Sequence, residues 1–283
     1  MTLDDQPRYV PYLPPPPPPP PDPRRRRVMV AVCSAWALVL LVGGVWYARH
    51  GKPSVREQTT IAQAQSTVDR AIGLVVDAAG AGVVPAITGY DRLDSCEITP
   101  VRSGERYDRE VWLATAPGTE SALLNRIAAG LPRAYRPGVA RPATTGTPAP
   151  RLAADAGDYV EITGSVDRAG LVQVTAGTGC RPLGQRPAAD PTATPGAADR
   201  APVEPVLRQL GVAAAHWSIH QLPCGLRTVE AVGAPTATLD SLPTPAKPPV
   251  VDRDDVYADP SGLLVRADGD QVTVTFTAGA CRS

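Results

Sequence analysis

The hydrophobic pattern divides the chain at once. Residues 28–48, VMVAVCSAWALVLLVGGVWYA, form a run without a charge. At about 1.5 Å rise per residue, that run spans a bilayer core of roughly 30 Å. It therefore predicts a transmembrane helix. Arg24 to Arg27 stand directly before it and predict a cytoplasmic N-terminus with an exported C-terminal region. A cleaved signal peptide would have a shorter apolar core ending in small residues. This run ends in Trp46, Tyr47 and Ala48, so an uncleaved signal-anchor is expected.

Helical spacing returns after the membrane run. Ile61, Ala64, Val68, Ile72, Val75 and Ala79 recur on one face, with Ser54 and Glu57 as a candidate capping box and Gly80 as a stop. Strands are predicted around 96–101 and 111–115. In the latter, both faces are largely apolar. Thr119 is a candidate cap for a helix carrying Leu123, Leu124, Ile127 and Leu131, and Pro132 ends it. Residues 159–163 and 171–175 alternate as a hairpin. Further on, Pro205 suits the first turn of a helix with Leu207, Leu210 and Ala214 on one face. Strands are expected at 216–222 and 226–232. The last hairpin, 263–267 and 271–277, turns at Asp268-Gly269. Val272, Val274 and Phe276 point one way, and Thr273, Thr275 and Thr277 the other.

These elements predict an α+β protein with a single N-terminal transmembrane helix and two small tandem units. Each unit is a helix packed on an antiparallel sheet with one disulfide. The expected boundaries are a Pro-rich cytoplasmic tail at 1–27, the membrane helix at 28–48, unit 1 at 54–182, a flexible linker at 184–201 and unit 2 at 202–283. Pro14 to Pro21 form a polyproline II spacer or, alternatively, a docking peptide. Residues 137–150 and 234–250 are proline-rich and read as loops.

Composition sharpens this. Lys plus Arg and Asp plus Glu both number 28, so no nucleic-acid partner is expected. One Phe in the whole chain leaves a core of Val, Leu, Ile and Ala, which covalent links would reinforce. Beyond the membrane stand Cys96, Cys180, Cys224 and Cys281, an even set in an oxidising compartment. Spacing alone allows three pairings. An internal repeat selects one. Cys96-Glu-Ile-Thr-Pro-Val101 matches Cys224-Gly-Leu-Arg-Thr-Val229 in apolar offsets, and the Thr-Ala-Gly endings before Cys180-Arg181 and Cys281-Arg282 match more closely. Equivalent bridges then pair Cys96 with Cys180 and Cys224 with Cys281.

Chemistry-bearing motifs are sparse. His216 and His220 share a strand face, but no third metal ligand accompanies them. Ser165 has no nucleophile elbow around it and is expected in a hairpin turn. Asp252, Asp254 and Asp255 lack calcium-loop spacing. Trp112 and Trp217 fall at similar places in the two units and are read as core, with a glycan platform as the alternative. No catalytic residue, cofactor or metal is assigned. The expected function is a single-pass envelope protein that presents disulfide-stabilised modules to a partner protein or cell-wall component. The alternatives are a membrane-anchored hydrolase, and a sensor or assembly factor signalling to the Pro-rich tail.

Overall fold

The structure, a computed structural model, describes residues 23–50, 60–99, 102–140, 149–182, 187–188, 190, 194–242 and 247–281. The tail before residue 23, the Ser54–Glu57 capping box, Val101 and parts of the 137–150, 184–201 and 234–250 segments lie outside these residues. The chain forms two compact units, residues 1–53 and 54–283.

The first unit contains α1 (Pro23–His50). Its Arg27–Trp46 stretch is long and apolar enough to cross a membrane. Val30, Trp36, Leu40 and Trp46 project outward and are more than half exposed. Length and apolar composition make it a candidate membrane span.

The second unit is α+β with two antiparallel sheets. It opens with α2 (Ile61–Ala79), whose cap is Thr60 in a reciprocal box with Gln63. The cap thus lies six residues beyond Ser54. The expected apolar stripe is buried from Ile61 to Ala79. β1 (Val84–Thr99) and β2 (Arg102–Ala114) follow as a long hairpin. The sequence revealed only the ends of this hairpin, because Tyr90 to Asp94 interrupt the apolar alternation. α3 (Glu120–Gly130) begins after Thr119, but the Thr119 side chain makes no capping bond. It bonds Thr115 and the Ala116 carbonyl instead. β3 (Gly138–Ala140) and β4 (Arg151–Asp155) were not predicted. β5 (Glu161–Arg168), β6 (Leu171–Gly177) and β7 (Arg181–Pro182) complete the first sheet. Ser165 sits within β5, opposite Arg151 and Gln173, and not in a turn.

The second half contributes α4 (Ala197–Arg200), α5 (Glu204–Gln209), β8 (His216–Gln221) and β9 (Arg227–Gly233). The short strands β10 (Val251–Arg253) and β11 (Val256–Ala258) flank Asp254 and Asp255. β12 (Leu263–Asp268) and β13 (Gln271–Ala278) close the sheet through a two-residue turn at Gly269–Asp270, one position beyond the expected Asp268-Gly269 because Asp268 still pairs with Gln271, with Gly269 at the positive φ.

The order of the first sheet is β1-β2-β6-β5-β4-β3, with β7 beside β2. The second runs β8-β9-β13-β12-β11-β10. The second follows the same six-strand path as the first, with no counterpart of β7 among the described residues. Cys96 on β1 bonds Cys180 beyond β6, and Cys224 beyond β8 bonds Cys281 beyond β13.

Three apolar clusters hold the fold. One lies between the first sheet and α2 and α3, and includes Ile72, Val75, Leu124, Ile127, Val111 and Ile162. A second lies under α5 and includes Leu207, Leu210, Val265 and Val274. The third joins the sheets through Val84, Ala86, Ala114, Leu171, Val256 and Leu264. Each fully buried Leu or Val side chain contributes roughly 1.5–3 kcal/mol. The threonine face of β13 is therefore not a solvent face. Thr273, Thr275 and Thr277 are buried. Neighbouring Thr228 accepts from the Ile87 N–H and shares a hydrogen bond with Thr277. The halves interlock again at the second disulfide. Leu222, Leu226 and Cys281 belong to the cluster beneath α2. A Cβ added at Gly73 of α2 would meet the Cys281 and Cys224 sulfurs at 3.5 and 3.7 Å, so a larger side chain there would separate helix and bridge.

Candidate functional site

The apolar layer between the halves gives way to charge at one end. Along β2, alternation puts Arg109 on the same face as Tyr107, Val111 and Leu113, and all four are buried. A fully buried arginine must find acceptors for its N–H groups. Arg109 finds them on four segments. Nε donates to the Thr88 carbonyl of β1 at 3.0 Å, and Nη1 to Asp69 of α2 at 2.7 Å. Nη2 donates to Asp190 at 3.0 and 3.2 Å, and to the Gln221 carbonyl of β8 at 3.1 Å. Burial opposes its charge, but Asp190 and Asp69 outweigh that penalty and hold the guanidinium ionised. Tyr90 lies 5.1 Å from it and donates its hydroxyl proton to Asp69 at 2.7 Å. Burial and then Asp69 push the phenol upward, so it stays protonated.

Asp190 also joins a second chain of bonds. His220 Nδ1 lies 3.0 Å from Asp190, and its Nε2 lies 3.1 Å from the Ser218 hydroxyl. Ser218 donates to Glu230 at 3.2 Å, its neighbour across the β8–β9 ladder. The ring fits because Gly89 of β1 has no side chain. A Cβ there would stand 3.1 Å from His220 Cε1. Burial works against the charged imidazole, but hydrogen bonds to Asp190 and Glu230 outweigh it and raise its pKa to about 9. Burial likewise opposes the Glu230 carboxylate, while His220 brings its pKa down.

Asp190, His220 and Ser218 have the connectivity of a hydrolytic triad. Their protonation states differ from one. A general base must be neutral to take a hydroxyl proton, whereas His220 is cationic at neutral pH. The Ser218 proton already points to Glu230. The balanced description is an imidazolium between two carboxylates, with Ser218 relaying one of the bonds.

Beside this network lies a cavity of about 440 Å³, lined by Tyr90, Tyr107, Asp190, Trp217 and His220 among others. It follows β8 from His216 to His220. A more apolar groove of about 350 Å³ lies between α2 and the Cys224–Cys281 bridge.

Sequence reasoning singled out His216 and His220 as a pair, and the structure separates them. His216 is exposed, while His220 is largely covered and joined to Asp190. Among the described residues, no group of three or more His, Cys, Asp or Glu side chains could hold a metal. Trp112 and Trp217 occupy non-equivalent strands, the second of one sheet and the first of the other. Arg266 stacks 3.9 Å over Trp112, and Arg200 lies 5.2 Å over Trp217. Asp252 and Asp254 are exposed, and Asp255 lies 3.5 Å from Arg168. Asp69, Arg109 and Asp190 were missed. The legible signal was a charge inside each apolar face: Asp69 beside Val68 and Ile72, and Arg109 in line with Val111 and Leu113.

No family model matches the chain, and no curated protein matches it. Among solved structures, it is similar to a DUF4853 family protein from Actinomyces odontolyticus ATCC 17982, determined as a crystal structure at 2.65 Å resolution. The identity is 13%, the match covers 59% of this chain and 89% of that one, and the TM-score is 0.34.

Proposed function

We propose that the chain is a membrane-tethered binding protein. Its exported region consists of two tandem units, 54–182 and 202–283, descended from one duplicated fold, and it presents a rigid surface to a partner protein or wall component. Support for duplication comes from the shared strand order and the corresponding positions of the two bridges. The N-terminal apolar helix and the disulfides fit a single-pass membrane protein with an extracytoplasmic C-terminal region. The positive cluster Arg24–Arg27 supports a cytoplasmic N-terminus.

The observation that carries the binding reading is the saturation of the polar network. His220 is held protonated by two carboxylates and the Ser218 proton is already donated, so these groups join the halves rather than await a substrate. The test has two arms. Crosslinking of the full chain in its native membrane should yield adducts on residues 54–283. A fluorophosphonate probe at neutral pH should leave Ser218 unmodified. An absence of adducts would end the binding reading.

The alternative is a membrane-anchored hydrolase. It is favoured by the 3.1 and 3.0 Å contacts of His220 with Ser218 and Asp190. Labelling by the probe that disappears in Ser218→Ala would establish it.

A further inference from the structure

Arg200 and Arg266 lie over Trp217 and Trp112, so an aromatic surface for a wall glycan has to be sought elsewhere. It is found where the β4–β5 hairpin meets the 3-10 turn at Arg133–Tyr135. There a cavity of about 500 Å³ is lined by Tyr135, Arg136, Asp155, Tyr159 and Glu161 among others. That volume falls in the range of small-ligand sites, about 300–1,000 Å³.

Folding alone does not explain Tyr159. The Val160 N–H donates to the Gly157 carbonyl at 2.9 Å and closes a β-turn. Its central residues, Asp158 and Tyr159, have φ of 50° and 59°. Such positions draw Asn and Gly, because a larger side chain crowds the backbone there. Asp158 has a local task. Its carbonyl accepts from Nη2 of the buried Arg181, and its carboxylate lies 3.4 Å from Nη1. Tyr159 instead holds a large aromatic ring, 42% exposed, where glycine would be easiest. The facing wall repeats the pattern. Arg136, at φ 49°, follows Tyr135, whose ring packs partly against the core. Arg136 and Tyr159 line the cavity, and Asp158 adjoins Tyr159 in the chain. No other described non-glycine residue has a positive φ. Strained backbone of this kind gathers at ligand clamps.

The charges have a matching arrangement. Asp155 and Glu161 stand directly opposite each other across the β4–β5 ladder, and like charges so placed oppose pairing. Arg136 offsets this, with Nη2 donating to Asp155 Oδ2 at 2.6 Å. A donor and an acceptor side by side match two neighbouring hydroxyls of a sugar ring, since each hydroxyl both donates and accepts. The tyrosine rings suit the apolar face of the same sugar. Glu161 disfavours an anionic sugar and Arg136 a cationic one.

We propose that Tyr135, Arg136, Asp155, Tyr159 and Glu161 form a binding site for a neutral saccharide of the cell wall. The sugar stacks on Tyr159, and Arg136 and Asp155 take adjacent hydroxyls. This inference rests on the binding reading above and names the chemistry of its wall component.

The test uses the full-length chain in polyoxyethylene detergent micelles, which carry no sugar headgroup. Maltotriose, cellotriose, triacetylchitotriose and soluble glycan strands from purified cell walls are each titrated by saturation-transfer NMR. At least one should bind through its ring protons. Tyr159→Gly should weaken that binding about tenfold or more, yet melt no lower than the unmodified chain, because glycine suits the turn. If Tyr159→Gly does not fold, Tyr159→Asn takes its place with the same expectation. Loss of folding in both would make Tyr159 a structural residue and overturn the proposal. Binding of none of the probes, equal binding to variant and unmodified chain, or displacement of the saccharide by tetramethylammonium would also overturn it. Crosslinked protein adducts on residues 54–283 would still stand for the binding reading in each case, so the two can fail separately.

Discussion

The two sheets share a strand order but differ in cover. The first has α2 and α3 across one face, and a cluster that includes Ile72, Leu124, Ile127 and Leu152. The second has the six-residue α5 and a thinner cluster. It compensates by burying its other face, lined by Thr228, Thr273, Thr275 and Thr277, against the first sheet. Similar backbones thus reach stability by different routes. Each half has a cluster of its own, but the first borrows Leu222, Leu226 and Cys281 from the second, and the second buries a further face against the first. The charged seam around Arg109 is where that dependence is most concentrated.

The largest expected effect follows from cutting the seam. Arg109→Met leaves Asp69 and Asp190 without their shared cation in a nearly closed site. Removal of one partner from a buried ion network costs about 3–5 kcal/mol. Arg109→Lys should be nearly as damaging, because a single ammonium cannot reach the four segments that the guanidinium spans. Chemical denaturation measures both. A loss under about 1 kcal/mol for Arg109→Met would mean that the halves do not depend on this residue.

The bridges are of similar weight, and native-state strain and denatured-state structure bring their measured effect below the chain-entropy figure. The chain-entropy account assigns each about 4–5 kcal/mol as an upper figure, given sequence separations of 84 and 57. The sequence suggests that Cys281→Ala would loosen residues 202–283 and spare the first unit. The structure changes this expectation, because Cys281, Leu222 and Leu226 lie in the cluster beneath α2. Hydrogen exchange on Cys224→Ala with Cys281→Ala should show α2 losing protection together with β13. Protection of α2 at the level of the intact chain would restore two independent units.

What the sequence disclosed follows the same contrast. Period and turn chemistry exposed α2, α3, the β5–β6 hairpin and the β12–β13 hairpin, because each is local and strongly patterned. The repeated cysteine motifs disclosed the pairing of the bridges. The short strands β3, β4, β10 and β11 were hidden, since three to five residues beside proline-rich loops carry too little alternation. The seam was hidden for another reason. Asp69 and Arg109 are 40 positions apart, and Arg109 and Asp190 are 81 apart. Long-range ion networks leave no local period. The two sides of β13 were visible, but the burial of the threonine side was not, because it depends on a second sheet whose contact is set by Val84, Ala86 and Leu264.

A third expectation concerns pH. The ordinary His pKa is 6.5, and His220 in the fold is raised to about 9. The folded state therefore binds a proton more tightly than the unfolded chain. That stabilisation is complete below about pH 6.5 and is lost as pH rises through about 9. Its size is on the order of 3 kcal/mol, from about 1.4 kcal/mol per pKa unit. Melting temperatures from pH 6.5 to 9.5 should fall for the intact chain and vary less for His220→Gln. Parallel curves for the two proteins would remove His220 from the link between the halves.

The smallest effect sharpens the comparison from the other side. The three described non-glycine residues with positive φ, Arg136 at 49°, Asp158 at 50° and Tyr159 at 59°, all lie in the first half. The second half uses glycine wherever its described backbone turns left-handed. Arg136 follows the 3-10 turn at Arg133–Tyr135 in a left-handed conformation with ψ at 48°. That conformation costs a non-glycine residue about 1–2 kcal/mol, and glycine would relieve it while adding some freedom to the unfolded chain. Glycine would also remove the 2.6 Å pair with Asp155, whose side chains are 73% and 49% exposed. Such an exposed pair contributes about 0–1 kcal/mol. The terms leave Arg136→Gly slightly more stable, by under about 1 kcal/mol, which is a rise of at most roughly 2–4 °C in a unit of this size. The better-covered half therefore tolerates local strain that the other half does not carry. A melting temperature equal to or below that of the intact chain would show that the Asp155 pair outweighs the strain, and would remove this distinction between the halves.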